Sequence, residues 1–475
     1  MAEICHIFVV IWDKLWDMYE KRSEKLTMKE NQKNGKRNTK TTKKAVSKTT
    51  KDNYSKTKKG NYNKTTIGNC NKTTIGNCNK VTKDKRTSAA KINDNRVCVF
   101  SGECTGCKYI ELPYEKQLDM KRKQIEKLLG GFGKIDAIVG MDNPFYYRNK
   151  VHAVYYRKKN GQIVPGIYKE GTHDIIPVND CKIENKKARE IVNTIAELIK
   201  SFKVPLYNED TGFGLLRHVL IRTADVTGEI MVVLVTASPV FPSRKNFANA
   251  LMKKHKEIIT VVHNINDKDT SMILGERTQT ITGKGYINDM LCGKRFRLNP
   301  TAFYQVNAKM TEKLYNKAIE CAALTGKETV IDAYCGIGTI GLAASDKAGE
   351  VIGVELNGEA ISAARVNAKI NGVKNASFYV NDAGKFMTGL AASDKKIDVV
   401  FMDPPRSGSS TQFIDAIHQL LPDRVVYISC GPESLKRDLE YFKKKGKYRV
   451  VSMSPFDMFC HTSHVETVVL MSRVK

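Results

Sequence analysis

The sequence has no apolar run approaching the roughly 18–20 residues needed to cross a bilayer. It also lacks a persuasive secretory leader. The apolar stretch Ile7–Trp12 is short, no Lys or Arg precedes it, and Asp13 interrupts it. Met28, followed at once by a Lys/Asn/Thr-rich run, is a second candidate start. Without a leader, the 12 cysteines are expected as thiols in a reducing cytoplasm, used for metal binding or chemistry and not as a disulfide framework. Acidic residues are scarce beside basic ones: 50 Asp/Glu against 78 Lys/Arg, a net charge of +28. Such a balance points to a polyanionic partner, most commonly nucleic acid. Residues 1–97 hold 24 Lys/Arg against 9 Asp/Glu, which leaves +13 on the remainder. The body is therefore basic in its own right. The plainer alternative is a tail that only aids solubility.

What is present falls into three parts. Residues 29–97 are rich in Lys, Thr, Asn, Ser and Gly and hold little that could be buried, so a disordered tail over residues 1–97 is expected. An eight-residue repeat begins at Gly60, Gly68 and Gly76. It has too few copies for a solenoid and reads as expanded linker. From Cys98 to about 290 the chain reads as α+β. A charged amphipathic helix is expected over Tyr114–Leu129, ended by Gly130-Gly131. Strands are expected at Val151–Tyr156, Val219–Thr223, Ile230–Thr236, Thr260–Val262 and Met272–Leu274, with helices at Lys187–Phe202 and Ser243–Lys256. Over 291–475 short apolar runs alternate with helices, the mark of an α/β, Rossmann-like, doubly wound parallel sheet. The expected strands are Thr329–Ala333, Val351–Glu355, Ala376–Val380, Val399–Asp403, Val425–Ser429, Tyr448–Pro455 and Thr467–Ser472, the last two forming an antiparallel edge hairpin.

The first of these strands ends in Asp332-Ala-Tyr334-Cys-Gly336-Ile-Gly338-Thr339-Ile-Gly341. Glycines there permit a tight turn and close backbone approach to a ligand, and the next helix offers free N–H groups. Glu355 ends the second strand, 17 residues after Gly338, where an acid can hold both ribose hydroxyls of an adenosine cofactor. Asn381-Asp382-Ala383 follows the third strand, placed to meet an adenine. A nicotinamide dinucleotide site would share much of this pattern. The string D-x-x-C-G-x-G, with its acid and aromatic ahead of the glycines, resembles instead the S-adenosylmethionine-dependent methyltransferases.

The fourth strand ends in Asp403-Pro404-Pro405-Arg406, a string that also serves amine-methylating enzymes and so leaves the target atom open. The fifth ends in Ser429-Cys430-Gly431-Pro432. A free cysteine is usually a small buried hydrophobe, but at a strand end facing the ligand crevice it suits reversible covalent catalysis. Glu466 precedes the last strand, either as a base at the crevice edge or as a solvated strand-start carboxylate. A thiol and a carboxylate together suit methylation of uracil C5. That carbon becomes nucleophilic only after a thiolate adds at C6, and its hydrogen must then be removed so that the thiol is expelled. Methylation of an amine needs no such cysteine.

From Cys98 to the C-terminus the chain resembles the RumA-type 23S rRNA (uracil-5-)-methyltransferases. The resemblance is carried by Tyr147-Arg-Asn-Lys150, Gly214-Leu-Leu-Arg-His218, Asn299-Pro-Thr-Ala-Phe-Tyr-Gln-Val-Asn307, Asp332–Gly338, Asp403–Arg406, Ser429-Cys430 and His464-Val-Glu466. It implies Cys430 as nucleophile and Glu466 as base. It further implies a methyl-donor pocket lined by Gln305, Tyr334, Thr339, Glu355, Asp382 and Asp403, with Asp403 also at the uracil edge. Cys98, Cys104 and Cys107 lie within ten residues, and Cys181 makes a fourth thiol. Spacing alone allows zinc or a 4Fe–4S cluster; the resemblance implies the cluster, with a structural or RNA-binding role. The expected substrate is 23S rRNA, with no membrane and no obligate protein partner. A tRNA uridine-54 C5-methyltransferase shares the chemistry, but bacterial examples generally lack the cluster cysteines. A cytosine-5 enzyme would want a second strand-end cysteine, and a non-catalytic RNA-binding or iron–sulfur sensor protein would not need Cys430 with Glu466. Three departures stand out: a polar tail where the family often has a β-barrel, Cys460 where proline is usual, and Thr339 where Asn is frequent.

Overall fold

The computed structural model describes residues 96–474. The expected disordered tail and its octapeptide repeat lie outside the described residues. The first helix, α1 (Tyr114–Leu129), starts after Pro113 and buries Gln117, Lys121, Ile125 and Leu129 along one stripe. Ahead of it, residues 96–112 form a turn-rich loop that carries Cys98, Cys104 and Cys107.

A seven-stranded sheet comes next, in the order β3-β2-β1-β4-β5-β6-β7. Its strands and helices are β1 (Lys150–Arg157), β2 (Ile163–Tyr168), β3 (Ile175–Pro177), α2 (Lys186–Ser201), β4 (Leu216–Thr223), β5 (Ile230–Thr236), α3 (Arg244–Lys254), β6 (Ile258–Ile265) and β7 (Arg277–Thr282). All neighbours are antiparallel except β5 and β6, which run parallel across the α3 crossover. β4 and β5 are buried along their whole length because α2 and α3 cover one face and the second half of the chain the other. Asn185 caps α2 by accepting from the Lys187 and Ala188 N–H groups, and Ala188, Ile191, Val192, Ile195 and Ile199 make its buried stripe.

The strand expected at Met272–Leu274 is a loop; the strand lies at β7, five residues further on. Side chains have taken the backbone groups a strand would use. The Asn266 amide donates to the Met272 and Ile273 carbonyls, and Asn264 bonds both the N–H and C=O of Gly275. Gly275 passes so close to the Ile265 carbonyl that a Cβ there would lie 1.9 Å from its oxygen.

The hairpin β8 (Ile287–Leu291) and β9 (Lys294–Leu298) leads into α4 (Ala308–Ala322). Beyond it come β10 (Thr329–Ala333), α5 (Thr339–Ala344), β11 (Glu350–Glu355), α6 (Gly358–Ile370), β12 (Ala376–Val380), α7 (Ala383–Ala391), β13 (Val399–Met402), α8 (Thr411–Leu420), β14 (Arg424–Ser429), α9 (Pro432–Lys445), β15 (Tyr448–Phe456) and β16 (Glu466–Arg473). The second sheet has the order β12-β11-β10-β13-β14-β16-β15. β10 to β14 are parallel, while β16 is antiparallel to both neighbours and slots between β14 and β15. The expected edge hairpin is therefore present, with its second strand inside the sheet and its first at the edge.

Successive residues of these strands point to opposite faces. Val426 and Ile428 join the cluster with α4 to α6, whereas Val425 and Tyr427 join the one with α7 to α9. Packing also ties the two halves of the chain together. The cluster holding Val330 and Val399 also holds Leu220, Met231 and Val233 of the first sheet. Helix α1, although it precedes that sheet in sequence, buries Ile125 and Leu129 in the cluster with α9 and β15. No helix among the described residues is long and apolar enough to cross a membrane.

Candidate active site

Strand order reverses at β10, flanked by β11 on one side and β13 on the other, so a crevice opens beyond the strands' C-terminal ends. The chain turns sharply there: Tyr334, Gly336 and Gly338 all have positive φ, 66°, 54° and 82°. The Gly336 N–H donates to Glu355 Oε2 at 3.3 Å and the Asn357 N–H to Glu355 Oε1 at 2.9 Å. Burial raises the Glu355 carboxyl, against those donors. Asp332 lies beneath the loop with Oδ2 accepting from the Gly341 N–H at 2.7 Å. Burial lifts it to about 7, opposed by that bond and reinforced by Asp403 and Glu355. Gly341 is required for this fit, because a Cβ would stand 2.8 Å from Asp332 Oδ2 and 2.9 Å from Val351.

Of the remaining cofactor candidates, Tyr334 and Thr339 belong to this turn and the helix it opens, and Asp382 follows β12. The Tyr334 hydroxyl meets Ser409 Oγ at 3.3 Å and its ring packs on Phe413. Thr339, the first residue of α5, shares a 3.3 Å hydrogen bond with the buried Tyr315 hydroxyl. Asp382 caps α7 through the Lys385 N–H at 2.9 Å, and the preceding Asn381 N–H reaches the Glu355 carbonyl at 3.1 Å. Gln305 enters on the loop before α4, its carbonyl held by Asn149 Nδ2 at 3.1 Å.

A second group of residues meets where β13, β14 and β16 end. Ser429 pairs with Thr467, so Cys430 sits one step further along, beside Glu466, which itself pairs with Phe456. Glu466 is only 3% exposed. Burial pushes its carboxyl up to about 7, with the Arg406 guanidinium opposing. Asp403 is raised well above the ordinary carboxylate range by burial and then by Glu466. The Cys430 thiol is pushed well above its ordinary value by burial, then by the Glu466 and Asp403 charges; Arg406 opposes. Arg406 also meets His464 Nδ1 at 3.2 Å. The arrangement holds a thiol that stays protonated at rest and a carboxyl that half-ionises near neutral pH, the range in which a general base works best. Arg406 and His464 were visible in the sequence only as members of motifs. Their meeting joins the turn after β13 to the entry of β16, 58 residues apart, and no local signal carries it.

Cys98, Cys104, Cys107 and Cys181 are all half-buried. The Cys181 thiol is raised first by burial, with Cys104 and Cys98 adding, and Cys104 is raised by burial with Cys98 adding. Backbone N–H groups of Gly106 and Ile183 point at the Cys104 and Cys181 sulfurs. Cys107 and Cys181 pack on the same apolar cluster. Among the described residues no three His, Cys, Asp or Glu side chains stand in a metal-holding arrangement. The soft donor set and its N–H partners suit a thiolate-bound metal group.

A sheet of this order, with a glycine turn at the switch point and an acid at the end of the next strand, resembles the S-adenosylmethionine-dependent methyltransferase class of fold. The model of the tRNA (uracil-5-)-methyltransferase family matches residues 113–474, and the chain belongs to that family. An uncharacterized RNA methyltransferase of Clostridium tetani is 39% identical over 385 residues, spanning 80% of this chain and 83% of the relative. One of Clostridium acetobutylicum is 40% identical over 385 residues, with the same coverage. Among solved structures, the Pyrococcus abyssi tRNA (uracil-54, C5)-methyltransferase in complex with S-adenosyl-L-homocysteine superposes with a TM-score of 0.65 at 28% identity, covering 77% of this chain and 86% of that one. The protein is an RNA methyltransferase of the uracil-5 class.

Proposed function

We propose that the chain methylates C5 of a uridine in 23S rRNA through a covalent adduct on Cys430, with Glu466 removing the C5 proton. The observation that carries this reading is the adjacency of half-buried Cys430 and buried Glu466, one step beyond the Ser429–Thr467 strand pair and beside Asp403 and Arg406, in an RNA uracil-5 methyltransferase fold. S-adenosylmethionine supplies an electrophilic methyl group, held by Gln305, Tyr334, Thr339, Glu355, Asp382 and Asp403. A uracil flipped out of the RNA is needed, since neither ring face of a stacked base is open to both groups. The Cys430 thiol loses its proton to solvent, the thiolate being favoured by Arg406, and Sγ forms a bond to C6. The C5–C6 π electrons move onto the C4 carbonyl as an enolate; they return through C5 to bond the methyl as its S–CH3 bond breaks, the electron pair staying on sulfur to leave S-adenosylhomocysteine. Glu466 then accepts the C5 proton, the C5–H electrons re-form the C5–C6 double bond, and the C6–Sγ bond breaks to return the thiolate. Burial shifts Asp403 toward its protonated form, which suits it to donate a hydrogen bond at the uracil edge.

Cys98, Cys104, Cys107 and Cys181 would hold a 4Fe–4S cluster as a structural element beside the RNA-binding central region, residues 98–290, ahead of the methyltransferase region 291–475. The four cysteines and the resemblance to the RumA-type enzymes support rRNA as substrate. A second reading, tRNA uridine 54, is favoured by the likeness to the Pyrococcus abyssi enzyme. Digestion to nucleosides after incubation with methyl-labelled S-adenosylmethionine separates them. Labelled 5-methyluridine is expected from 23S rRNA fragments. Label only in tRNA would move the target to the second reading, and label in 5-methylcytidine would overturn the reaction.

A further inference from the structure

The proposed base sits at the end of a connection, Asp457–Val465, that joins β15 to β16. Left to itself, a nine-residue surface loop would be mobile. Here it is buried, and four consecutive carbonyls in it are each taken by a donor from a different part of the chain. Asn307 Nδ2 donates to Met458 O at 2.9 Å, Lys121 Nζ to Phe459 O at 3.1 Å and the Tyr147 hydroxyl to Cys460 O at 3.1 Å. The Tyr109 N–H donates to His461 O at 2.8 Å.

At the head of the loop Lys121 Nζ forms an ion pair with Asp457 Oδ1, and neither side chain has any exposed surface. The Tyr114 hydroxyl donates to Asp457 Oδ2 at 2.8 Å and accepts the Met141 N–H at 2.9 Å. Gln117 Nε2 donates to His461 Nδ1 at 3.2 Å, and His461 Nε2 faces the Pro144 carbonyl at 3.1 Å, so one neutral tautomer with its proton on Nε2 satisfies both. Tyr114, Gln117 and Lys121 recur at helical spacing along one face of α1.

A charge pair removed from water is a costly way to hold a loop, and an apolar pair of similar volume packs as well or better. What a charged pair adds is direction: the carboxylate must face the ammonium, which fixes the rotation of the chain at Asp457. The adjacent residue, Phe456, is the strand partner of Glu466. The far end of the loop is tied back in turn, with Thr462 Oγ1 donating to Phe459 O at 2.7 Å and accepting the His464 N–H at 3.2 Å.

We propose that Lys121 is a positioning residue for the elimination step: through Asp457 it orients the loop that aims Glu466 at the C5 proton. The inference rests on the reading of Glu466 as base. Attack by Cys430 and methyl transfer do not use Glu466 as a proton acceptor. Disturbing its aim therefore slows only the later events, in which the C5 proton passes to Glu466, the C5–C6 double bond forms and the C6–Sγ bond breaks.

The test uses the full-length protein and two readouts. Trapping of 5-fluorouridine RNA reports attack and methyl transfer, because fluorine does not leave as a proton does. Release of methylated ordinary RNA reports elimination. Lys121→Met alone strands a buried carboxylate, so the main variant is Lys121→Met with Asp457→Leu, backed by Tyr114→Phe. The double variant is expected to bind S-adenosylmethionine and trap fluorinated RNA at the wild-type rate. It should release ordinary product on the order of tenfold more slowly, with a visible adduct, since small misplacement of a reacting group has effects of that size or larger. Tyr114→Phe removes one hydrogen bond but leaves the Lys121–Asp457 pair, so it should slow the same step by less, roughly threefold. Wild-type release from both variants, whatever their melting temperatures, would overturn the proposal, as would equal slowing of trapping and release. No adduct from the wild-type enzyme would instead overturn the base and nucleophile assignments, and this role with them.

Discussion

Glu466→Gln should make the protein more stable and nearly inactive. Folding moves the Glu466 carboxyl from an ordinary 4.5 to about 7, chiefly by burial. Below about pH 4.5 the group is protonated folded and unfolded and its titration costs nothing. Between 4.5 and 7 the folded state holds a proton that the unfolded chain has lost, so stability falls as pH rises, and above 7 the full loss is present. At about 1.4 kcal/mol per unit, a rise from 4.5 to about 7 amounts to about 3 kcal/mol. Glutamine is the same shape without the charge, so the variant should unfold later in urea at pH 8.5 by up to about 3 kcal/mol. The difference should shrink through pH 7 and vanish near pH 4.5. Removing the charge also relieves Cys430, which Glu466 helps keep protonated, so alkylation of Cys430 by iodoacetamide should be faster in the variant. In turnover the variant should accumulate a protein–RNA adduct, since attack proceeds and elimination does not. A variant no more stable than wild type at pH 8.5 would refute the burial argument, and normal release of methylated RNA would refute the base role.

Cys430→Ala should abolish turnover while leaving S-adenosylmethionine affinity unchanged by calorimetry, because the cofactor candidates lie on other loops; residual activity would remove the nucleophile assignment. Gly341→Ala should lower stability by about 1–3 kcal/mol, the usual penalty of overpacking, and weaken cofactor binding, because its Cβ would press on Asp332 and Val351. Thermal melts and cofactor titration check both effects, and a neutral outcome would show that the loop yields. Anaerobically purified protein should carry about four irons with broad visible absorbance, lost in Cys104→Ser; one zinc per chain would overturn the cluster.

Much of the second sheet could be read from the sequence because its signals are local. Thr329–Ala333 and Ala376–Val380 are short apolar runs bounded by polar turns, and each is a strand with those bounds. Tyr114–Leu129 is a helix over the expected span, its end marked by paired glycines. What escaped depends on partners distant in sequence. Met272 and Ile273 have the composition of a strand, but two asparagines, Asn264 in β6 and Asn266 just beyond it, claim the backbone. Nothing near Lys121 marks it among the charged residues of its helix as the buried one, because Asp457 is 336 residues away. Likewise the strand-end positions of Cys430 and Glu466 could be read separately, while their adjacency depends on β16 inserting beside β14, a topological fact that neither segment encodes.

Covalent attack by Cys430 on uracil C6 is the step on which the proposed mechanism stands, and mechanism-based trapping reads it without intermediaries. Protein, S-adenosylmethionine and 5-fluorouridine-substituted RNA, as 23S rRNA fragments or tRNA, are incubated and resolved on a denaturing gel, with the adduct mapped by peptide mass spectrometry. A stable, cofactor-dependent adduct on the peptide containing Cys430, formed with an rRNA fragment, is the expected result. No adduct with either RNA, from protein that binds the cofactor, would contradict covalent attack.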